Sequence, residues 1–135
     1  MSATDRKIPS PEPNVETRPY WDAAKDGKLL LKRCTGCGEA FHYPRSICPF
    51  CDSDATVWSE ATGDGTVYSY SVMRRAEPPY CIAFVTLSEG VTMMSNIVDS
   101  DLDSVRIGDA VHVVFKPSVD GQPVPMFTKS SKEEP

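Results

Sequence analysis

Four of the five cysteines form two pairs, and in each pair two residues separate the cysteines. The first pair is Cys34 and Cys37, and the second pair is Cys48 and Cys51. With this spacing both sulfurs of a pair reach one ion, and two such pairs form the tetrahedral four-sulfur set that zinc favours. A closed set of this kind leaves no open position for water, so it has no Lewis-acid chemistry to offer. The cysteines therefore predict one structural zinc ion.

The residues that follow each pair suit a metal-binding turn. Gly38 comes directly after the first pair, where the turn needs a left-handed backbone that glycine adopts without strain. Asp52 holds the same position after the second pair and is a tolerated substitute. Ten residues separate Cys37 from Cys48, which is enough for a short hairpin. We expect a small zinc-bearing ribbon.

Other chemical roles for the cysteines and histidines have less support in the sequence than a structural zinc site. The same four sulfurs could bind iron as rubredoxin does, whereas a redox dithiol would need only one pair. His42 is not needed as a ligand, because four thiolates complete the coordination of zinc, and we expect it on the hairpin surface. Cys81 lies in an apolar run without a nearby general base, so we expect a buried cysteine that acts as a small hydrophobe.

Catalytic motifs are absent from the sequence. It contains no glycine-rich phosphate loop and no Gly-x-Ser-x-Gly elbow, and its two histidines are His42 and His112. This lowers the expectation of independent enzymatic activity without excluding it.

The net charge and the hydropathy of the sequence argue against two classes of protein, nucleic-acid binders and membrane proteins. The 135 residues carry a formal net charge of -5, the opposite of the basic footprint of a nucleic-acid binder. A locally basic segment remains, because between residues 28 and 51 the charged residues are Lys28, Lys32, Arg33 and Arg45 against Glu39. No apolar run approaches the ~18 residues of a membrane span, and no secretory signal is visible. We expect a cytoplasmic protein.

A short helix is predicted ahead of the ribbon. Residues 1–15 are rich in proline, charged and small residues and are expected to form a flexible arm. The helix spans Thr17 to Asp26, with Thr17 as its cap, Pro19 in its first turn and Gly27 at its end.

So short a helix is marginal alone, so its large apolar residues must dock on another surface. Tyr20, Trp21 and Ala24 could dock on the chain's own ribbon or on a partner subunit. We take Tyr20 and Trp21 as candidate residues of a partner interface.

Strand patterns dominate the rest of the chain. Leu29 to Leu31 and Phe41 to Tyr43 are expected strands of the ribbon, and the strands that follow it are 66–74, 80–87, 91–98, 110–115 and 124–128. Alternation places Tyr68, Tyr70 and Val72 on one face of the first of these, and Pro125 implies an edge position for the last. Five short strands with hairpin turns predict a small closed or partly open barrel. Residues 129–135 are an expected tail.

The ordered motifs resemble one known family over about residues 16–128. They are Tyr20-Trp21-Asp22-Ala23, Gly27-Lys28-Leu29, Cys34-Thr35-Gly36-Cys37-Gly38, Pro44-Arg45, Cys48-Pro49-Phe50-Cys51, Gly63-Asp64-Gly65-Thr66-Val67-Tyr68-Ser69 and Ile107-Gly108-Asp109. The chain resembles the domain of unknown function 35 (DUF35) family, in which a rubredoxin-like zinc ribbon is fused to an OB-fold. The resemblance implies a mainly β fold, with a helix and zinc ribbon over residues 16–62 and a five-stranded OB-fold barrel over 63–128. Asp52 departs from the glycine often found there, and Cys81 takes an apolar position.

The resemblance also implies a function. Members of this family are associated with acyl-CoA enzymes as non-catalytic subunits that bridge or cap thiolase-like catalytic subunits and help shape the acyl-CoA passage. Such complexes include thiolases, steroid side-chain aldolases and hydratases of lipid metabolism. A thiolase-like partner is therefore expected, with acyl-CoA contacted at the shared interface.

Two other functions remain open. OB-folds commonly bind single-stranded nucleic acid, and Tyr68, Tyr70 and Phe84 could stack bases. The acidic balance and the expected core positions of these aromatic residues argue against nucleic-acid binding. An independent acyl-CoA hydratase or thioesterase lacks candidate catalytic residues.

Overall fold

The computed structural model describes residues 7–130, which form one α-helix and eight strands. Helix α1 spans Arg18–Lys25. The strands are β1 (Leu30–Cys34), β2 (Ala40–Phe41), β3 (Thr56–Glu60), β4 (Asp64–Met73), β5 (Tyr80–Leu87), β6 (Thr92–Ile97), β7 (Ala110–Pro117) and β8 (Pro123–Lys129). A short 3-10 helix, Leu102–Ser104, precedes β7.

The strands form a small sheet and a barrel. The sheet is antiparallel with the order β2-β1-β3, and it carries the cysteine pairs at one end. The barrel is closed with the order β4-β5-β6-β8-β7, and its one parallel contact joins β6 to β8 at Ile97 and Phe127. The predicted fold class, a short helix and zinc ribbon followed by a five-stranded barrel, is confirmed.

Pro125 lies where one side of its strand lacks a ladder partner. Strand β8 pairs with β7 along its whole length, and Pro125 faces Phe115 there. On its other side the backbone ladder between β8 and β6 is limited to Ile97 and Phe127. A residue without a backbone N–H is accommodated at such a position.

Helix α1 is preceded by a tight turn that Asn14 closes. The Thr17 N–H donates to the Asn14 side-chain oxygen at 3.0 Å, and the Asn14 N–H donates to the Thr17 hydroxyl at 3.0 Å. Thr17 is the N-cap residue, as predicted, but its hydroxyl accepts from the Asn14 N–H and makes no cap hydrogen bond to the helix. At the other end, Gly27 adopts a φ of 75° and its N–H donates to the Ala24 carbonyl at 3.0 Å, as predicted.

A single apolar core joins the helix, the ribbon and the barrel. Tyr20 and Trp21 of the helix and Leu31 of the ribbon belong to the same buried cluster as Leu87 and Phe127 of the barrel. The contact is reinforced by Gln122, whose side-chain amide donates to the Trp21 carbonyl at 3.0 Å. The helix therefore packs between the two sheets of its own chain.

A β-bulge changes the expected faces of β4. Val67 pairs with Val85 and Ser69 pairs with Phe84, so Tyr68 is an extra residue between them. Val67 is buried and points inward, whereas Tyr68 is 65% exposed. The prediction that Tyr68 shares a face with Tyr70 and Val72 is wrong, because the extra residue breaks the period of two.

Beyond the bulge, the pairing of β4 places Tyr70 and Val72 on the inner face. Tyr70 lies opposite the buried Ala83, and Val72 lies opposite the buried Cys81. Tyr70 nevertheless remains 36% exposed.

Part of the predicted N-terminal arm contacts the turn between β7 and β8. The Val119 N–H donates to the Ile8 carbonyl at 2.9 Å, and the Asp120 N–H donates to the Ser10 hydroxyl at 3.2 Å. The predicted flexibility of the rest of the arm falls on residues 1–6, outside the described residues. The predicted tail covers residues 129–135; strand β8 ends at Lys129, and residues 131–135 lie outside the described residues.

Membrane topology adds one observation. Across the described part of the chain, no helix is both long and apolar enough to cross a bilayer.

Candidate metal centre

The four sulfurs of the predicted zinc site lie together at the end of the ribbon. All four Sγ atoms are within 4.8 Å of one another. The Sγ atoms of Cys34 and Cys51 are 3.6 Å apart, and those of Cys37 and Cys48 are 3.8 Å apart. A tetrahedron with a Zn–S bond of about 2.3 Å places its sulfurs about 3.8 Å apart. The sulfur positions therefore fit one tetrahedral ion.

Backbone amides hold the first cysteine pair in place. The N–H groups of Gly36 and Cys37 donate to the Cys34 sulfur at 3.3 Å and 3.4 Å. These hydrogen bonds, with the one from Cys37 contributing most, lower the pKa of Cys34 to about 6. The turn closes with a hydrogen bond of 2.8 Å from the Gly38 N–H to the Cys34 carbonyl. Cys34 is thus arranged to carry a thiolate, the form that binds metal.

The second cysteine pair repeats the same geometry. The Phe50 N–H donates to the Cys48 sulfur at 3.3 Å, and the Asp52 N–H donates to the Cys48 carbonyl at 2.9 Å. Gly38 and Asp52 occupy equivalent positions with φ of 83° and 66°. The predicted left-handed conformation after each pair is therefore confirmed, and aspartate is among the few residues that tolerate it.

Burial differs within each pair. Cys34 and Cys48 are fully buried with Phe41 in a small core of the ribbon, whereas Cys37 and Cys51 are exposed. Near the first pair, the Arg33 guanidinium donates to the Gly38 carbonyl at 2.9 Å. The site is therefore anchored in the ribbon through the first cysteine of each pair.

His42 lies apart from the sulfurs, against the helix. Its Nε2 is 2.9 Å from the Tyr20 hydroxyl, and the two rings are 5.4 Å apart. Burial lowers the pKa of His42 to about 4. The expectation of a hairpin surface position is wrong, because the chain after β2 turns His42 under α1.

Tyr20 and Trp21 meet the same segment of the ribbon. The Trp21 indole N–H donates to the Tyr43 hydroxyl at 2.9 Å, and the Tyr20 and Tyr43 rings lie edge to face at 5.5 Å. Within this chain Tyr20 is 3% exposed and Trp21 is 8% exposed. Docking on the chain's own ribbon is therefore observed. No partner chain is present, so the interface role of these two residues stays a prediction.

The sequence pattern does not identify the aromatic partners of the helix. It predicts that His42 and Tyr43 belong to a hairpin arm. The signal that points to them is a run of three aromatic rings from Phe41 to Tyr43 beside an unpaired aromatic helix face. Their ring contacts with Tyr20, together with the hydrogen bond between Tyr43 and Trp21, fix the helix on the ribbon that carries the metal site.

Cys81 is separate from the metal site, as predicted. It is fully buried in β5, in the barrel core. Burial raises the pKa of its thiol, so at neutral pH it remains a protonated, apolar group.

Comparison with family profiles agrees with both halves of the fold. The profile of the ChsH2 rubredoxin-like zinc ribbon domain matches residues 21–57, and that of the ChsH2 C-terminal OB-fold domain matches residues 58–116. The chain is therefore a zinc ribbon joined to an OB-fold, and its cofactor is zinc.

Curated relatives identify the family. Over 95 residues the chain is 38% identical to a DUF35 domain-containing scaffold protein of Methanothermobacter thermautotrophicus, a match that covers 65% of this chain and 71% of the relative. A second scaffold protein of this name, from Methanocaldococcus jannaschii, is 38% identical over 105 residues, covering 71% of this chain and 74% of that protein. The chain belongs to the DUF35 family.

A longer relative and a solved structure extend the comparison. A probable enoyl-CoA hydratase alpha subunit of Thermomonospora curvata is 32% identical over 131 residues, covering 93% of this chain; the chain spans only 41% of that relative's length. A chain of the solved Ltp2-ChsH2(DUF35) aldolase superposes with a TM-score of 0.80 and 31% identity, over 90% of this chain and 100% of that one.

Proposed function

We propose that this chain is a non-catalytic accessory subunit of an acyl-CoA-processing enzyme complex with a thiolase-like catalytic subunit. The observation that carries the proposal is the match to the Ltp2-ChsH2(DUF35) aldolase, which covers the whole of the matched chain. That protein is an aldolase whose name joins a DUF35 component to a second protein. The scaffold names of two archaeal relatives support the same kind of role.

The site chemistry supports a structural role for this chain. Four thiolates saturate the zinc ion, so the metal has no position for substrate or water. His42 is packed against Tyr20, and Cys81 is buried in the barrel. The reactive side chains singled out above are thus engaged in structure. In the proposed complex the catalytic groups belong to the partner, and this chain helps to shape its acyl-CoA passage in the cytoplasm.

Co-expression tests the proposal directly. The tagged chain is expressed with each thiolase-like protein encoded in the same genome, and complexes are isolated by affinity and size-exclusion chromatography. We expect one stable complex whose catalytic activity on an acyl-CoA substrate requires both subunits. A catalytic subunit that is fully active alone and never co-elutes with this chain would contradict the proposal.

Single-stranded nucleic-acid binding is a second candidate because the three aromatic residues that could stack bases all lie outside the buried core. Tyr68 is 65% exposed, Phe84 is 41% exposed and Tyr70 is 36% exposed, so the expectation that they occupy core positions is wrong. The strands that carry them hold no cation to contact phosphates between residues 65 and 73 or in Tyr80–Leu87. Fluorescence anisotropy with labelled single-stranded DNA and RNA is expected to detect no binding at physiological salt. Sub-micromolar affinity that falls steeply with added salt would reverse the ranking.

A further inference from the structure

An uncharged apolar surface covers three neighbouring strands of the barrel. Phe84 of β5 pairs laterally with Met94 of β6, and on its other side the β4 bulge places Tyr68 beside it. Ile82, the next outward residue of β5, extends the row. We call the surface formed by Tyr68, Ile82, Phe84 and Met94 the barrel face. Tyr68 and Met94 are 65% and 64% exposed, so large apolar side chains stand in solvent here.

The barrel face differs from the rest of the surface in its lack of charge. No charged residue occurs between residues 65 and 73, in Tyr80–Leu87 or in Thr92–Ile97, although 24% of the chain is charged. Other exposed apolar residues have charged neighbours: Val119 precedes Asp120, Ile107 follows Arg106, and Val57 pairs with Arg33. A surface of aromatic, isoleucine and methionine side chains without charges has the composition of the buried centre of a protein interface.

The barrel face also contains a concave feature. Where β6 and β8 separate beyond their single ladder pair, a groove of about 310 Å³ opens between Ile82 and Met94 on one side and Val124 and Pro125 on the other. A groove of this size accommodates a large side chain of a partner, and such anchors dominate interface energies. The barrel face thus combines an exposed apolar surface with an adjoining groove.

We propose that the barrel face is the surface that docks on the catalytic subunit, against an uncharged, apolar surface of that subunit. This inference rests on the proposed function. The lack of charge distinguishes between the possible binding partners. A nucleic acid or an anionic bilayer requires cations, which these strands lack. An apolar protein surface requires none, and a charge placed in the centre of such an interface would be desolvated without a partner.

Charge-introducing variants test the docking surface. Met94→Glu and Phe84→Glu place a carboxylate at the centre of the barrel face, at side chains that are already exposed and so leave the barrel core intact. We expect each variant to weaken binding of the co-expressed catalytic subunit by at least about 30-fold, the scale of an interface hot spot. Binding is measured by surface plasmon resonance on purified subunits.

Matched controls separate docking from folding and from charge. Val119→Glu adds the same charge at an apolar side chain that is about as exposed as Met94, 65% against 64%, in the turn between β7 and β8. We expect it to bind within about twofold of the unmodified chain, since it lies off the barrel face. All variants should retain one zinc per chain and an unchanged thermal transition, which excludes unfolding as the cause of lost binding.

Distinct results would overturn the inference. If the complex forms with equal affinity for all variants, the docking surface is wrong while the proposed function stands. If the unmodified chain binds no thiolase-like subunit, the proposed function and the docking surface fall together. The inference is also overturned if the chain alone is a dimer that Met94→Glu dissociates without loss of the complex. Binding of a single-stranded oligonucleotide that Phe84→Glu abolishes would assign the face to nucleic acid.

Discussion

The Tyr20 hydroxyl and the Nε2 atom of His42 lie 2.9 Å apart, at the point where the helix meets the zinc-bearing ribbon. The neighbouring contact between the Trp21 indole and the Tyr43 hydroxyl, also 2.9 Å, repeats this arrangement one residue along the chain. Two consecutive helix residues thus pair with two consecutive ribbon residues. The helix therefore holds the ribbon on one side and, through the shared core, the barrel on the other.

The protonation of His42 should make the stability of this junction depend on pH. Burial lowers the pKa of His42 to about 4, from an ordinary value of about 6.5. The unfolded chain therefore binds this proton more tightly than the folded chain. The stabilisation from neutral His42 is complete above about pH 6.5 and is lost as the pH falls towards 4, by up to about 3 kcal/mol. Urea unfolding of the zinc-loaded protein at several pH values measures this loss.

The control for this pH dependence is a comparison between the two histidines. His42→Gln should flatten the fall in the free energy of unfolding between pH 6.5 and 5, whereas His112→Gln, at an exposed position of β7, should not. Protonation of the zinc thiolates at low pH affects all three proteins alike, so it cancels in the comparison. Parallel curves for the unmodified protein and His42→Gln would contradict the assignment.

Truncation of the two helix aromatics distinguishes a role in the chain's own core from one in a partner interface. Because Tyr20 and Trp21 are almost fully buried, replacing both by alanine should lower the free energy of unfolding by several kcal/mol, about 3 or more for each ring. Differential scanning calorimetry measures the loss. The matched control is Tyr68→Ala, an exposed aromatic of the barrel, which should change the transition little. An unchanged transition in the double variant, with weakened partner binding, would instead support the predicted interface role.

The ribbon could be predicted from sequence because its determinants are local. The spacing of the cysteines, and the positions of Gly38 and Asp52 that must turn left-handed, lie within a few residues of each other. Such short-range geometry follows from backbone sterics alone. The number of barrel strands could also be predicted from sequence, because each strand is bounded by its own turn residues.

The predicted side-chain positions are wrong where the position depends on residues that are distant in the chain. The bulge at Tyr68 depends on pairing with β5, and it moves this side chain from the expected inner face to the outside. The position of His42 depends on a helix that lies 22 residues earlier in the chain. Neither contact leaves a periodic pattern in the sequence. As a result, the sequence pattern predicts the wrong surface for both Tyr68 and His42.

Close packing at Gly65 predicts a specific steric effect in the barrel. A Cβ atom added at Gly65 would lie 2.7 Å from the Thr86 carbonyl oxygen and 2.8 Å from Val85 Cγ1. Because backbone cannot yield as a flexible side chain does, Gly65→Ala should lower the free energy of unfolding by about 1–3 kcal/mol. Gly36→Ala is the control, since its Cβ would meet no atom closer than 3.5 Å. Equal thermal stability of the two variants would show that β4 and β5 can move apart.

The zinc site makes the last prediction, which concerns both metal content and folding. The purified protein should contain one zinc per chain by elemental analysis, held by Cys34, Cys37, Cys48 and Cys51. Cys48→Ser should lose the metal and unfold the ribbon, because Cys48 is fully buried and structural zinc contributes about 10 kcal/mol or more to folding. Cys81→Ala is the matched control: it removes a buried thiol from the barrel and should keep the zinc. Stoichiometric iron with a visible charge-transfer band would overturn the assignment of the metal, and full zinc retention by Cys48→Ser would overturn the ligand set.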